Sequence, residues 1–222
     1  MPTIAIVGAG PGLGLSVAKV FGGHGFQAAL ISRSRDRLAP LVAELAQTGI
    51  VADAFQADVA DHAALAAALR QAAERFGRID VMEFSPYAGL GIVQPPDVTV
   101  DLLRPDIEQL FYGAVTATQA VLPAMLEAGS GALLFTVGGG SIHPYPRLAT
   151  ANAAQAALRN YVHNLHNTVN ARGVQAATVV VNRFIGATPP APGIPHIAPD
   201  ALAKRYWDLA ADRDRHEEVV GG

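Results

Sequence analysis

The chain has 222 residues, half of them apolar and 16% charged, with a net charge of −3 at pH 7. That length accommodates one domain with a full hydrophobic core, and the composition excludes a disordered chain. The slight acidity leaves no basic face for nucleic acid; the lack of cysteine excludes disulfides and thiolate-held metals and agrees with a cytoplasmic protein.

Short β-branched runs alternate with longer stretches rich in Ala and Leu. The first strand is expected at 3–7, followed by a glycine-rich segment at 8–14 and a helix over 13–21. Strand 27–31, helix 36–47, strand 52–56, helix 61–76 and strand 81–85 come next. A long helix over 102–127, strand 132–137, helix 149–171, strand 176–181, helix 199–211 and a strand at 217–220 complete the order. Such alternation predicts an α/β fold of the Rossmann type, a doubly wound parallel sheet with helices on both faces, forming a single domain over 1–222. The apolar stretch 110–126 is interrupted by Tyr112, Thr116, Thr118, Gln119 and Pro123. It is expected as a buried helix, with no membrane span. The N-terminus has no basic leader, and its glycines interrupt any signal-like apolar run, so a soluble protein is expected. The Pro-rich stretch 188–199 reads equally as a lid or as a plain surface connection.

The segment Gly8-Ala9-Gly10-Pro11-Gly12-Leu13-Gly14 stands between a strand and a helix. There, glycines let the backbone approach a pyrophosphate, and free amides in the helix's first turn hold its charge. Gly8, Gly10, Pro11, Gly12, Leu13 and Gly14 are therefore expected to cradle a dinucleotide. The spacing is Gly-x-x-x-Gly-x-Gly over Gly8, Gly12 and Gly14, with Leu13 where the commoner fingerprint has its third glycine. The second strand runs into Ser32-Arg33-Ser34-Arg35, with no carboxylate before Asp36. A ribose 2′-hydroxyl calls for an acid there, whereas a guanidinium pairs two oxygens of a 2′-phosphate. Ser32 and Arg33 thus predict NADP(H) in preference to NAD(H).

Together with Asp58-Val59, Ile79-Asp80-Val81 and the helical segment from Gly113 to Pro123, the glycine segment resembles the short-chain dehydrogenase/reductase family over nearly the whole chain. The resemblance implies an oxidoreductase acting on a small molecule. It also implies that Asp58 bonds the adenine amino group with help from the amide of Val59. The long helices at 102–127 and 149–171 would pack on a second subunit, giving a homodimer or homotetramer. Ordinary members reduce carbonyls with an Asn, a Ser and a Tyr-x-x-x-Lys. The Tyr donates the proton, the Lys lowers its pKa and grips the nicotinamide ribose, the Ser polarises the oxygen and the Asn supports a water relay. In this sequence those positions align with Leu110, Gly138, Ala151 and Gln155. The family's Asn-Asn-Ala-Gly after the fourth strand becomes Phe84-Ser85-Pro86-Tyr87, and its Pro-Gly after the sixth becomes Asn182-Arg183. Positions that hold the cofactor are mostly kept, while those that move protons are replaced. Ser85, Pro86, Tyr87 and Gln155 are assigned to the cofactor, with Tyr87 reading equally as a packing residue. Gln155 can bond a ribose hydroxyl but has no charge to act on a phenol.

Replacement acids are sought in the loop after the fifth strand, which carries Ser141, His143 and Tyr145. Tyr145 is the first choice of proton donor and His143 the second, each reading also as a loop side chain that only shapes the pocket. Glu83 is unusual within a central parallel strand and is expected to be paired and structural. Arg183 reads equally as a cofactor or substrate contact and as a surface ion pair. His163 and His166, three apart on a helix, lack an evident third ligand, so no metal site is expected. The leading expectation is an atypical NADP(H)-dependent reductase of a small carbonyl or enone. A non-enzymatic NADP(H)-binding sensor or partner protein, and a non-redox isomerase or lyase on the same scaffold, stay open as alternatives.

Overall fold

Strand β1 (Thr3–Val7) is buried along its whole length, which requires that both faces of its sheet be covered. The computed structural model, which describes residues 1–87, 89 and 91–221, shows how. Strand β1 pairs in parallel with β2 (Gln27–Ser32) on one side and β4 (Val81–Phe84) on the other. Beyond them lie β3 (Ala52–Gln56), β5 (Gly131–Gly138), β6 (Val174–Val181) and β9 (Glu217–Val220). The seven strands run in the order β3-β2-β1-β4-β5-β6-β9, and all the pairings are parallel. This is the expected doubly wound, Rossmann-like sheet, and the last strand at 217–220 completes its edge.

Alternate residues of β1 divide the core. Ile4 and Ile6 pack with helices α1 (Leu13–Gly23), α2 (Arg35–Gln47) and α7 (Pro199–Asp212). Ala5 and Val7 face α3 (His62–Phe76), α5 (Gly113–Glu127) and α6 (Ala149–Val169). Caps set several helix starts: Ser34 Oγ accepts from Arg37 N–H at 3.4 Å before α2, and Asp61 Oδ1 accepts from Ala64 N–H at 3.0 Å before α3. Asp61, expected as the first helical residue, is therefore the cap itself.

Two features depart from the expected elements. The helix foreseen over 102–127 begins earlier, as α4 (Val100–Asp106), and passes through a π-helical turn at Ile107–Tyr112 before α5. The irregular stretch near 188–199 is tied at its base by a parallel pair, β7 (Phe184–Ile185) with β8 (His196–Ile197). Phe184 N–H donates to Pro195 O, and Gly186 N–H to Ile197 O, each at 3.0 Å. Among the described residues no helix is long and apolar enough to cross a membrane.

Strand order reverses between β1 and β4, so the loops leaving their carboxyl ends turn to opposite sides and open a crevice between them. Gly8 of the first loop meets the backbone of Ser85 and Pro86 of the other there.

Candidate functional site

The crevice begins at Gly8, whose φ of +97° lies in the left-handed region that glycine tolerates. A Cβ there would stand 2.6 Å from the backbone of Pro86 and 2.7 Å from that of Ser85. Only a bare backbone lets the loops after β1 and β4 touch. The amides of Gly8 and Ala9 both donate to Ile31 O, at 2.9 and 3.0 Å, which fixes the exit from β1. Further on, Leu15 N–H reaches Gly10 O and Ser16 N–H reaches Gly12 O. The amides of Gly12, Leu13 and Gly14 find no backbone acceptor among the described residues. They stand at the positive end of α1, whose first turn has no acidic side chain. Cβ atoms on Gly10 and Gly12 would meet nothing within 4 Å, so the fold itself does not demand these glycines. They keep the floor of the cradle low. Gly14 differs, because its Cβ would press to 2.9 Å from Ala9 Cα where the helix packs on the loop. Pro11 is exposed at the cradle's rim.

Beside the cradle, β2 ends in half-buried Ser32 and exposed Arg33. The Arg33 guanidinium enters no ion pair among the described residues, while its carbonyl accepts from Gln56 Nε2 at 3.0 Å. After β3, Asp58 Oδ1 accepts from Ala60 N–H at 3.0 Å and caps a turn, leaving Oδ2 outside that bond. Val59 is buried, and its carbonyl would lie 2.9 Å from a Cβ on Gly113. That glycine brings the start of α5 against the Asp58-Val59 turn.

On the other side of the crevice, Ser85 and Pro86 are half-buried and Tyr87 is 74% exposed. Beneath them Glu83 is fully buried and accepts hydrogen bonds from Ser85 Oγ at 3.0 Å and Thr136 Oγ1 at 3.1 Å. Thr136 Oγ1 lies 2.7 Å from the Tyr206 hydroxyl of α7. Burial pushes the Glu83 carboxyl up to about 8, against the lowering effect of its two hydroxyl donors. Burial also raises the Tyr206 phenol well above its ordinary range, with Glu83 adding to the effect. Glu83 is thus paired, as expected, by hydroxyls and by no cation among the described residues.

The loop after β5 is assembled around glycines. Gly138 N–H donates to Gln155 Oε1 at 3.0 Å, and a Cβ on Gly138 would meet that oxygen at 2.7 Å. Gln155 therefore occupies the space that any larger residue at 138 would need. Ser141 Oγ donates to Gly138 O at 2.7 Å, which commits its hydroxyl proton inside the loop. Cβ atoms on Gly139 and Gly140 would collide with Asn182 and Asn152 respectively, so the loop seats between α6 and the end of β6. Asn152 Nδ2 donates to Tyr145 O at 2.8 Å, holding the backbone of that residue while its ring stays 52% exposed. His143 is also exposed. Ala151 is buried one turn before Gln155 on α6. A cavity of about 360 Å³ adjoins this loop, lined mainly by apolar surface from Pro95, Pro144, Pro146 and Ala153, with Ser141 and Asn152. It lies along the flank of α6 turned away from Ala151 and Gln155.

His163 Nε2 pairs with Glu217 at 3.0 Å, and the His166 ring stacks on His216 at 4.3 Å between centroids. Among the described residues no group of His, Cys, Asp and Glu is arranged to hold a metal ion. Sequence reasoning missed the Glu83–Thr136–Tyr206 chain and the role of Asn152. Its one available signal was the buried acid in an otherwise apolar strand.

The sequence profile of the family described as short chain dehydrogenase matches residues 2–184. Sulfoacetaldehyde reductase 2 of Chromohalobacter salexigens is 31% identical over 179 residues, covering 79% of this chain and 70% of that protein. A 2-dehydro-3-deoxy-L-rhamnonate dehydrogenase (NAD(+)) of a Sphingomonas species is 29% identical over 179 residues, covering 81% and 70%. Among solved structures, the L-sorbose reductase of Gluconobacter frateurii, complexed with NADPH and L-sorbose, superposes with a TM-score of 0.88 at 19% identity. It covers 100% of this chain and 95% of its own, a likeness of fold.

Proposed function

Because this chain belongs to the short chain dehydrogenase family, we propose that it is an NADP(H)-dependent oxidoreductase of a small organic carbonyl or enone, working by a route without the Tyr-Lys pair. One observation carries the preference for NADP(H). The exposed Arg33, outside any ion pair among the described residues, stands at the end of β2 beside an amide cradle whose glycines leave its floor open.

The residues fit such a cofactor. The amides of Gly12, Leu13 and Gly14 hold the diphosphate, with Gly8, Gly10 and Pro11 shaping the cradle. Ser32 and Arg33 bind the 2′-phosphate. Asp58 and the Val59 amide meet the adenine. Ser85, Pro86, Tyr87 and the Nε2 group of Gln155 line the nicotinamide end, since Gln155 Oε1 is already engaged by Gly138. When bound, the nicotinamide supplies a hydride. Ser141, whose proton is committed to Gly138 O, positions the loop and offers only lone pairs. Proton donation falls to Tyr145, then to His143 or water. A cytoplasmic location and a homodimer or homotetramer complete the proposal, the latter consistent with exposed Val100 and Leu102 of α4 and Tyr112 of the π-helical turn.

A second reading is an NADP(H)-binding sensor that has dropped catalysis. The Gln155–Gly138 bond favours it, because it ties the aligned Lys position to the backbone of the aligned Ser position and occupies Gln155 Oε1. Mixing the protein and NADPH with a panel of aldehydes, ketones, quinones and enones, while following nicotinamide absorbance, separates the two. The oxidoreductase oxidises NADPH with at least one class, and Tyr145→Phe loses turnover where Tyr87→Phe does not. Tight binding without oxidation selects the sensor.

A further inference from the structure

Glu83 interrupts a strand whose other residues, Val81, Met82 and Phe84, are apolar. No charged side chain among the described residues bonds to it. The groups facing it are Ser85 from the end of its own strand, Thr136 from β5 and Tyr206 from α7; β1 presents Ile6. Asp200, an acid of α7, is held separately by Ser16 Oγ of α1 at 2.6 Å.

Counting protons along this chain gives two distinct arrangements. With Glu83 ionised, Ser85 donates to Oε2, Thr136 donates to Oε1 and Tyr206 donates to Thr136 Oγ1, so every hydroxyl proton points toward the carboxylate. With Glu83 neutral, the carboxyl has a proton of its own to give, and one neighbouring hydroxyl must turn away. Donation into Thr136 would turn that hydrogen toward Tyr206, which is fully buried and has no other partner among the described residues. A stranded buried hydroxyl is unfavourable. Donation into Ser85 has no such penalty. Ser85 is half-buried where the chain leaves β4 beside the backbone of Gly8, so turning its hydrogen away from Glu83 strands no buried partner.

We propose that Glu83 and Ser85 form a proton-linked switch on the nucleotide site. The neutral acid turns the Ser85 hydroxyl outward to donate to an oxygen of bound NADP(H), and the carboxylate draws that hydroxyl back. The inference rests on the NADP(H) reading of the same site. Burial holds the carboxyl neutral up to about pH 8, so the outward arrangement prevails at neutral pH and is lost in mild alkali.

The test is NADPH affinity, read by nucleotide fluorescence, from about pH 7 to about pH 9.5, a range above the 2′-phosphate's own titration. Wild type, Glu83→Gln and Ser85→Ala are compared. Loss of one hydrogen bond predicts a wild-type Kd that rises roughly fivefold across the range. Glu83→Gln, with an amide that always donates, stays tight and flat; Ser85→Ala is flat and weak throughout. In the nucleotide-free protein, the infrared carbonyl band of a neutral carboxyl is expected at neutral pH, to vanish in mild alkali and to be missing from Glu83→Gln. A wild-type Kd that stays flat while that band disappears, or no such band at neutral pH, overturns the switch alone. A wild type that never binds NADPH removes the nucleotide reading, and the switch with it.

Discussion

Replacing Glu83 by Gln should stabilise the protein in mild alkali. In the unfolded chain this carboxyl has its ordinary value of 4.5; in the fold, burial raises it to about 8. Between those values the folded chain holds one more proton than the unfolded chain, so each rise in pH favours unfolding. At about 1.4 kcal/mol per pH unit the ceiling on the loss is about 5 kcal/mol, and relaxation around the charge brings a realistic figure to roughly 2–4 kcal/mol. The full stability contributed by the neutral acid is present below about pH 4.5, falls as pH rises and levels off above about pH 8. The Gln side chain keeps the size and hydrogen-bonding capacity without the proton. Urea denaturation at half-unit pH steps is the assay, with the difference between the proteins isolating this one group. The two should be nearly equal near pH 5, and the variant should pull ahead steadily toward pH 8. Parallel curves, or a wild type that gains on the variant as pH rises, would refute the reasoning.

Gly8→Ala and Gly12→Ala should separate fold from function. The first forces a Cβ into the backbone of Pro86 at a positive φ, so thermal unfolding should show a loss of roughly 1–3 kcal/mol or more, with nucleotide binding gone. The second enters open space, so the melting temperature should hold while nucleotide affinity falls. At the far edge of the sheet Glu217 is held down at about 2: burial raises it, but Arg159, Thr178 and His163 overcome that effect. Its stabilisation is present above about pH 4.5 and lost as pH falls toward 2, worth at most about 3 kcal/mol and roughly 1–2 kcal/mol after solvent screening. Arg159→Ala, which removes bonds of 2.6 and 2.7 Å, should therefore move the acid-unfolding midpoint to higher pH.

Local signals made most of the fold legible in the residues. The apolar runs of β1 and β6 are buried on both faces, and such runs need no alternation to be recognised. The glycine segment was equally readable because its cause lies in adjacent residues, a strand, a turn and a helix start. Features set by distant partners were not. Strands β7 and β8 are two residues each and exist only by pairing with one another. The π-helical turn at Ile107–Tyr112 adds a residue to one turn of a helix whose periodicity otherwise reads as continuous. Thr136 lies 53 residues from Glu83 and 70 from Tyr206, so nothing local marks their chain. The bond from Gly138 to Gln155 likewise joins residues 17 apart in the chain, so nothing local marks it.

Calorimetric titration of wild type and Arg33→Ala with NADPH and NADH tests the central claim most directly. NADPH should bind wild type at least roughly tenfold more tightly than NADH, the size expected of charge-assisted bonds to the 2′-phosphate. Arg33→Ala should erase that preference while still binding both. Equal affinities in the wild type, or no heat with either nucleotide, would contradict the account.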